Sequence, residues 1–363
     1  MSELETKLAK LHKVLEAGGL EAVVLRRVTN FAWATCGVAS YVNVADAFGV
    51  ASLLITRTGK CVITDNMEAR RLQQEQHLVE QGWDFEVAPW YEQGGAIQEL
   101  TRGMPIGADY PLPGAADLEP ELARLRRTLL PEEVERFRQV GRASAEAIDA
   151  AIMSIQPGWR EQQIAGLLAR EALSRGLEPI VNLVGTDERL TQYRHPVPTD
   201  QRLRRQAMVV LSGRKWGLVA SVTRMVYFGR MPDDLRQKES ALAHIHAHFI
   251  TATRPGRTLD QVLQEGIEAY QYYGYPAEWR QQEQGGMAGY QPRELQANLG
   301  EREPVMVGQV YVWCPSVSGM RSEDTILVGE YDNEILTAIP RWPFTKVSLR
   351  GRTIDRPRIL EIT

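Results

Sequence analysis

The sequence predicts an α+β protein of two domains. Three observations predict it. The chain has 363 residues, about two to three times the usual domain length. Its first third alternates helical and strand-like patterns, and its remainder opens on a proline-led helix start with no βαβαβ order behind it. A hydrophobic share of 44% suits a sizeable core, and 24% charged residues at net charge -4 is not the composition of a disordered chain.

In the first domain, 1–128, Leu4, Leu8, Leu11 and Leu15 recur at helical spacing and stop at Gly18-Gly19. The run 21–26 predicts a strand. Residues 50–56, the turn Arg57-Thr-Gly-Lys60 and residues 61–64 predict a hairpin. A helix is expected over about 67–82 and a strand over about 84–88. Asp109-Tyr-Pro-Leu-Pro-Gly114 is expected to be irregular, because proline removes ladder donors and disfavours helix before it. The basic cluster 124–127 ends this half.

The second domain, 129–363, starts with Leu130-Pro-Glu-Glu133, where proline and two acids suit the free N–H groups and dipole of a first turn. That helix runs to about 155 and stops at Pro157-Gly158; a second covers about 160–175. Strands over 206–211 and 218–228 flank a turn at 213–217. Helices over 232–253 and 259–273 are separated by Arg254-Pro-Gly256. Strands near 309–314 and 325–329 are expected to close the chain.

Composition removes several functions. With 42 basic against 46 acidic residues there is no basic surplus for counterion release, so nucleic acid is not the expected partner. Cys36, Cys61 and Cys314 form no ligand-like spacing, which disfavours a disulfide scaffold and a structural zinc. No run approaches ~18 apolar residues and no secretory h-region opens the chain, so no membrane and a cytoplasmic location are expected. GxGxxG, GxxxxGK[ST], GxSxG and HExxH are all missing.

Five pieces carry a resemblance, in order: Arg127-Thr-Leu-Leu-Pro-Glu-Glu133, Tyr193-Arg-His-Pro-Val-Pro-Thr199, Ala220-Ser-Val-Thr-Arg224, Gly285-Gly-Met-Ala-Gly-Tyr-Gln-Pro-Arg-Glu294 and Ser322-Glu-Asp-Thr-Ile-Leu-Val328. With them the chain resembles the creatinase/prolidase/aminopeptidase P superfamily over nearly its whole length. The resemblance implies a creatinase-type N-terminal α/β domain followed by a pita-bread domain, and a homodimer. Metallopeptidases of that superfamily hold two metal ions with two Asp, one His and two Glu, because paired dications need anionic oxygen. Here the second Asp falls on Ser221 and the first on Val210, or on Ser212 if the loop is shifted. The His falls on Gly286 and one Glu on Cys314, leaving Glu323 as the one retained carboxylate. One ligand of five cannot hold a dinuclear site, so no metal and no cofactor are expected.

Creatinase works without metal through a histidine, and the matching residue is His195. Imidazole titrates near neutrality and can take and return a proton in one turnover; a plain loop histidine is the other reading. Glu323 is expected to orient His195, bind a cationic group or activate water; the alternative is an ion pair with a nearby arginine. Strand alternation should send Glu323 and its neighbour Asp324 to opposite sides. Arg293, in the slot of the family's second histidine, has the planar fork for a substrate carboxylate, with Glu294 beside it. Gln282, Glu283 and Gln284 precede a glycine pair where backbone can approach a ligand, so one or two of them are expected to line the pocket; a solvated loop is the other reading. Arg224, Tyr193, Trp313 and Cys314 complete the expected pocket, Cys314 more as a buried filler than as a nucleophile. His244, His246 and His248 read as a partly exposed helix face.

The expected function is therefore a metal-independent hydrolase. It would cleave a C–N bond in a small amino-acid-derived, amidine or peptide-like substrate, with His195 as general acid and base. The alternative is a non-catalytic pita-bread module that binds a peptide or protein. A metal-dependent Xaa-Pro peptidase with recruited ligands ranks third.

Overall fold

Leucines at every third or fourth position need one apolar face to bury, and they set the first helix. In the computed structural model α1 (Glu3–Gly18) buries Leu11 and Leu15. A capping box between Ser2 and Glu5 opens it, and it stops where Gly19 turns left-handed at φ 63°. The structure describes residues 1–92 and 95–363, in two compact units, Met1–Glu132 and Glu133–Thr363.

The first unit continues with β1 (Ala22–Arg27), α2 (Val28–Ala34), β2 (Phe48–Thr56), β3 (Lys60–Asp65), β4 (Asp84–Ala88), α3 (Gly95–Leu100), β5 (Ile106–Ala108), β6 (Ala115–Asp117) and α4 (Glu119–Arg126). Among the described residues these strands form one mixed sheet in the order β4-β3-β2-β1-β5-β6. The expected hairpin is the antiparallel β2–β3 pair, and 109–114 is irregular as expected. The helix expected over 67–82 is much shorter: a helical run over 69–75, mostly the π-helical turn Arg71–Glu75, takes its place. Leu72 is the residue that turn buries, and His77 at φ 54° and Gly82 at φ 74° reverse the backbone soon after. One buried side chain gives no apolar stripe to extend a helix.

The second unit opens with α5 (Pro131–Ile152), started at the expected proline, and α6 (Glu161–Leu173). Then come β7 (Glu178–Thr186), α7 (Arg189–Gln192), β8 (Gln206–Lys215), β9 (Leu218–Phe228), α8 (Asp233–Ala252) and α9 (Leu259–Tyr272). The remainder is β10 (Gly285–Ala288), β11 (Leu295–Gln296), β12 (Val310–Trp313), β13 (Ser316–Val317), β14 (Met320–Arg321), β15 (Asp324–Leu327), β16 (Glu334–Ile335), β17 (Phe344–Leu349), β18 (Arg352–Pro357) and β19 (Leu360–Ile362).

Two departures from expectation matter. Strand β7 has no clean alternation to betray it, since Pro179 forces a register shift against β8. The chain also does not close near 329: β17 and β18 form a hairpin, and β19 adds parallel to β9.

Two antiparallel-rich sheets position the site, β19-β9-β8-β7 and β11-β10-β12-β15-β16. They are joined where Thr223 faces Glu323 as an isolated bridge, the Thr223 N–H donating to the Glu323 carbonyl at 3.2 Å. Thr325 repeats the link two residues on. Its hydroxyl accepts from the Ser221 N–H (2.9 Å) and donates to the Ser221 carbonyl (2.8 Å). Behind the joint lies a core that includes Phe249, Tyr270, Tyr311, Trp313 and Ile326.

Candidate active site

The register of the β8–β9 hairpin decides between the two positions offered for a first aspartate. Ser212 stands opposite Ser221, with the two hydroxyl oxygens 2.8 Å apart and both residues buried. Val210 belongs to the hydrophobic core instead. The pair at that point is thus two neutral hydroxyls satisfying one another.

Glu323 is buried and committed. Its Oε2 accepts from the Thr223 hydroxyl at 2.6 Å, and its Oε1 accepts from Arg321 Nη2 at 2.9 Å. Arg293 Nη2 lies 3.9 Å from the same Oε1. Asp324 points the other way, as strand alternation requires. It accepts from Arg224 (2.9 Å), from the Thr337 hydroxyl (2.8 Å) and from Arg356.

Arg293 is held by Glu283, its Nε and Nη2 donating to the two carboxylate oxygens at 3.3 and 3.0 Å. The same Nη2 lies 3.3 Å from Cys314 Sγ. Burial works against ionised Glu283, but the guanidinium beside it holds its pKa below the usual range. Burial pushes the Cys314 thiol up to about 12, over the opposing pull of Arg321 and Arg293. A thiol in that state stays protonated at neutral pH and is not primed as a nucleophile.

His195 sits on a loop braced from both sides. Behind it, fully buried Glu161 accepts from Thr186 N–H and hydroxyl (both 2.9 Å), from Thr199 N–H (3.0 Å) and hydroxyl (2.8 Å), and from Arg189. Beside it, Arg194 donates to Ser316 Oγ at 3.1 Å and to Glu278 at 2.5 Å. The imidazole itself is exposed and makes no hydrogen bond with the described residues. Its pKa is lowered by partial desolvation and then by Arg321, with Glu283 and Glu323 pulling the other way and Arg293 adding to the lowering. Neutral imidazole is the form free to accept a proton.

The structure thus brings His195, Glu283, Arg293, Cys314 and Glu323 into one field. Gln282 joins them through its amide, which donates to the Cys314 carbonyl at 2.6 Å. Glu323 does not hold His195, since both its oxygens are engaged elsewhere. Other expected residues stand apart. The Trp313 indole is stacked on Phe249 and Tyr311 in the core and donates to Thr253 (2.9 Å). Arg224 is buried on Asp324, and Tyr193 is exposed with Arg189 over its ring. Glu294 accepts from the Tyr290 N–H at 2.9 Å, and Gln284 is buried under Tyr270. Of the helix histidines, His246 is fully buried against Ser322 and Arg356.

One participant escaped the sequence reading. Arg321 is 8% exposed, and its Nε and Nη1 have no hydrogen-bond partner among the described residues. Its signal was available: two residues before Glu323 on an extended chain, it shares that residue's face.

These residues do not fit a pair of dications. The five ligand positions supply two paired hydroxyls, a protonated thiol, one carboxylate bound by a guanidinium, and Gly286. A Cβ at Gly286 would overlap the Leu295 carbonyl and come within 3.0 Å of the Ala297 nitrogen, so the backbone itself fills the histidine's place. Arg293 and Arg321 put positive charge beside the donors that remain. Among the described residues no three His, Cys, Asp or Glu side chains converge as a ligand group.

Residues 135–330 match the family model of metallopeptidase family M24. An Xaa-Pro dipeptidase of Pyrococcus furiosus is 26% identical over 218 residues, 58% of this chain and 63% of that protein, so the match spans less than two thirds of the relative. The prolidase of Pyrococcus horikoshii OT3 superposes with a TM-score of 0.79 at 16% identity, covering 93% of this chain and 99% of that one. Dipeptidase PepE of Mycobacterium ulcerans gives 0.77 at 18% identity, covering 99% and 98%. The α+β, pita-bread expectation is met by these likenesses.

Proposed function

The chain belongs to metallopeptidase family M24, within the creatinase, prolidase and aminopeptidase P superfamily, and we propose that it hydrolyses a C–N bond without that family's metal pair. The observation that carries the reading is His195: an exposed, uncommitted imidazole at the edge of a cluster in which every other ionisable group is paired or kept protonated. In the proposed reaction His195 takes a proton from the attacking water as the new C–O bond forms. It returns that proton to the departing nitrogen as the C–N bond breaks.

The substrate class is a small molecule or short peptide with a carboxylate, of the amino-acid, amidine or Xaa-Pro kind. Arg321 is the group suited to the carboxylate, because its Nε and Nη1 are unpaired; Arg293 would have to leave Glu283 to do the same. Glu323 then acts through Arg321, positioning the guanidinium rather than the imidazole.

The test is turnover of a panel of guanidino acids and dipeptides, Xaa-Pro included, by chain freed of metal with a chelator. Turnover should survive chelation, and His195→Ala should lower kcat by about 10²–10⁴-fold. Metal-restored activity, with stoichiometric Mn, Co, Zn or Fe in the purified protein, would overturn the metal-free reading.

A second reading, a non-catalytic module that binds a peptide, is favoured by one fact: Glu323, the retained acid, has both oxygens engaged. Saturable binding of panel members with no turnover of any would select it.

A further inference from the structure

Helix α5 carries Arg138, Arg142, Ala145 and Asp149 at steps of four, three and four, which aligns them along one face. Opposite runs the segment from Glu334 to Arg341. Between them lies a groove of about 600 Å³, within the range of small-molecule sites. It shares no lining residue with the His195 cluster.

Close packing builds it. A Cβ at Gly141 would come 2.5 Å from the Leu336 carbonyl, so the glycine lets the helix seat directly on the segment. Ala145 keeps the trough open, and Ile335, Ile339 and Pro340 give it apolar walls. Arg138 closes one end with a forked pair to Glu334, at 2.9 to 3.1 Å.

Of the remaining charges, Glu146 pairs with Arg175 at 3.8 Å and three are unmatched. Arg142 and Arg341 have no hydrogen-bond or ion-pair partner among the described residues. Asp149 is partly buried, and no donor among the described residues reaches its carboxylate. Burial raises its pKa, with Arg341 and Arg224 opposing. Lining one groove, an unpaired acid and two unpaired arginines form a charge pattern that a zwitterion complements.

We propose that this groove binds a short zwitterionic peptide, its ammonium on Asp149 and its carboxylate on Arg142. Seven residues of helix separate the two by about 10 Å along the axis. Helical side chains lean toward the N-terminus, so that span is kept, and an extended tripeptide covers it at roughly 3.3–3.6 Å per residue. A single amino acid is too short to meet both charges. The groove is also within electrostatic reach of the first site, because Arg224, which acts on Asp149, holds the Glu323 carbonyl.

Calorimetric titration of the full chain with L-alanyl-L-alanyl-L-alanine tests this, with N-acetyl-trialanine amide as the uncharged control. Trialanine should bind with an affinity of about 1 mM or tighter. Asp149→Asn and Arg142→Gln should each weaken it by about tenfold or more, while His195→Ala leaves it unchanged. Thermal unfolding of both groove variants, expected to match the parent, separates lost binding from lost fold. No binding to the parent, equal binding of the uncharged control, or binding lost with His195→Ala but kept with Asp149→Asn would each overturn the proposal.

Discussion

A thiol next to a guanidinium would normally be an acid primed to ionise; Cys314 is the reverse, because burial outweighs Arg293 and Arg321 and lifts it to about 12. Mass-spectrometric mapping after alkylation near pH 8 should therefore find Cys36 and Cys61, both partly exposed, modified well before Cys314. Rapid labelling of the folded chain at Cys314 would contradict that charge balance. Gly286 makes a second residue-scale prediction. Its missing side chain leaves room for the neighbouring strand, so Gly286→Ala should cost about 1–3 kcal/mol by forcing backbone apart, measurable by denaturant unfolding. His195 makes a third. Its lowered pKa keeps it neutral at physiological pH, so the acid limb of kcat/KM should have its midpoint below the ordinary imidazole value of about 6.5. A midpoint above that value would mean that another group limits the rate. At this scale His195, Arg293 and Glu323 could be picked out because each falls in a motif slot, and Glu283 because it precedes a glycine pair. Trp313 was misplaced because a four-residue strand buried on both faces offers no alternation from which to read direction.

Elements matter here mainly as braces. The His195 loop has no regular structure of its own between α7 and β8. Its shape depends on Glu161, one buried carboxylate at the start of α6 that ties β7 to the loop through Thr186 and Thr199. Glu161→Ala strands those donors and Arg189 together, and should destabilise the second unit by about 3 kcal/mol or more. The milder Glu161→Gln keeps the shape but halves the acceptors. If the brace positions His195, this variant should lower kcat more than it raises KM and shift the acid limb, whereas a purely structural role moves only the melting temperature. Helix starts and stops were readable because prolines, acids and glycines mark them. Glu161 was not, since a helix-terminal glutamate looks the same in sequence whether it faces water or five donors.

Across the whole second unit, charge is the organising quantity, and Asp324 is its centre. Its carboxylate answers two buried guanidinia, Arg224 and Arg356. Arg356 comes from the β17–β18 hairpin, whose role could not be read from a segment of alternating charge and apolar residues far along the chain. Beside them His246 Nδ1 lies 3.3 Å from Arg356, and as a guanidinium can only donate, that nitrogen accepts and the proton sits on Nε2. Burial first, and Arg356 next, hold the His246 pKa well below its ordinary value. Asp324 is held down to about 2: burial opposes this, and Arg224 and Arg356 overcome it. The two groups act in separate pH windows. The unfolded chain binds a proton at position 246 near pH 6.5 and the folded chain does not, so stability must fall as pH drops below about 6.5. Asp324 contributes fully above its ordinary value near 3.8 and loses that contribution as pH falls from there to about 2. Urea unfolding of the second unit across pH should show both slopes, each at most ~1.4 kcal/mol per pH unit for one proton. His246→Gln should flatten the upper slope and leave the lower. Asp324→Asn should cost about 3–5 kcal/mol at neutral pH, because it leaves two guanidinia buried against one neutral amide. An unchanged upper slope in His246→Gln would show that the buried imidazole does not couple to folding, and that Arg356 is balanced by Asp324 alone.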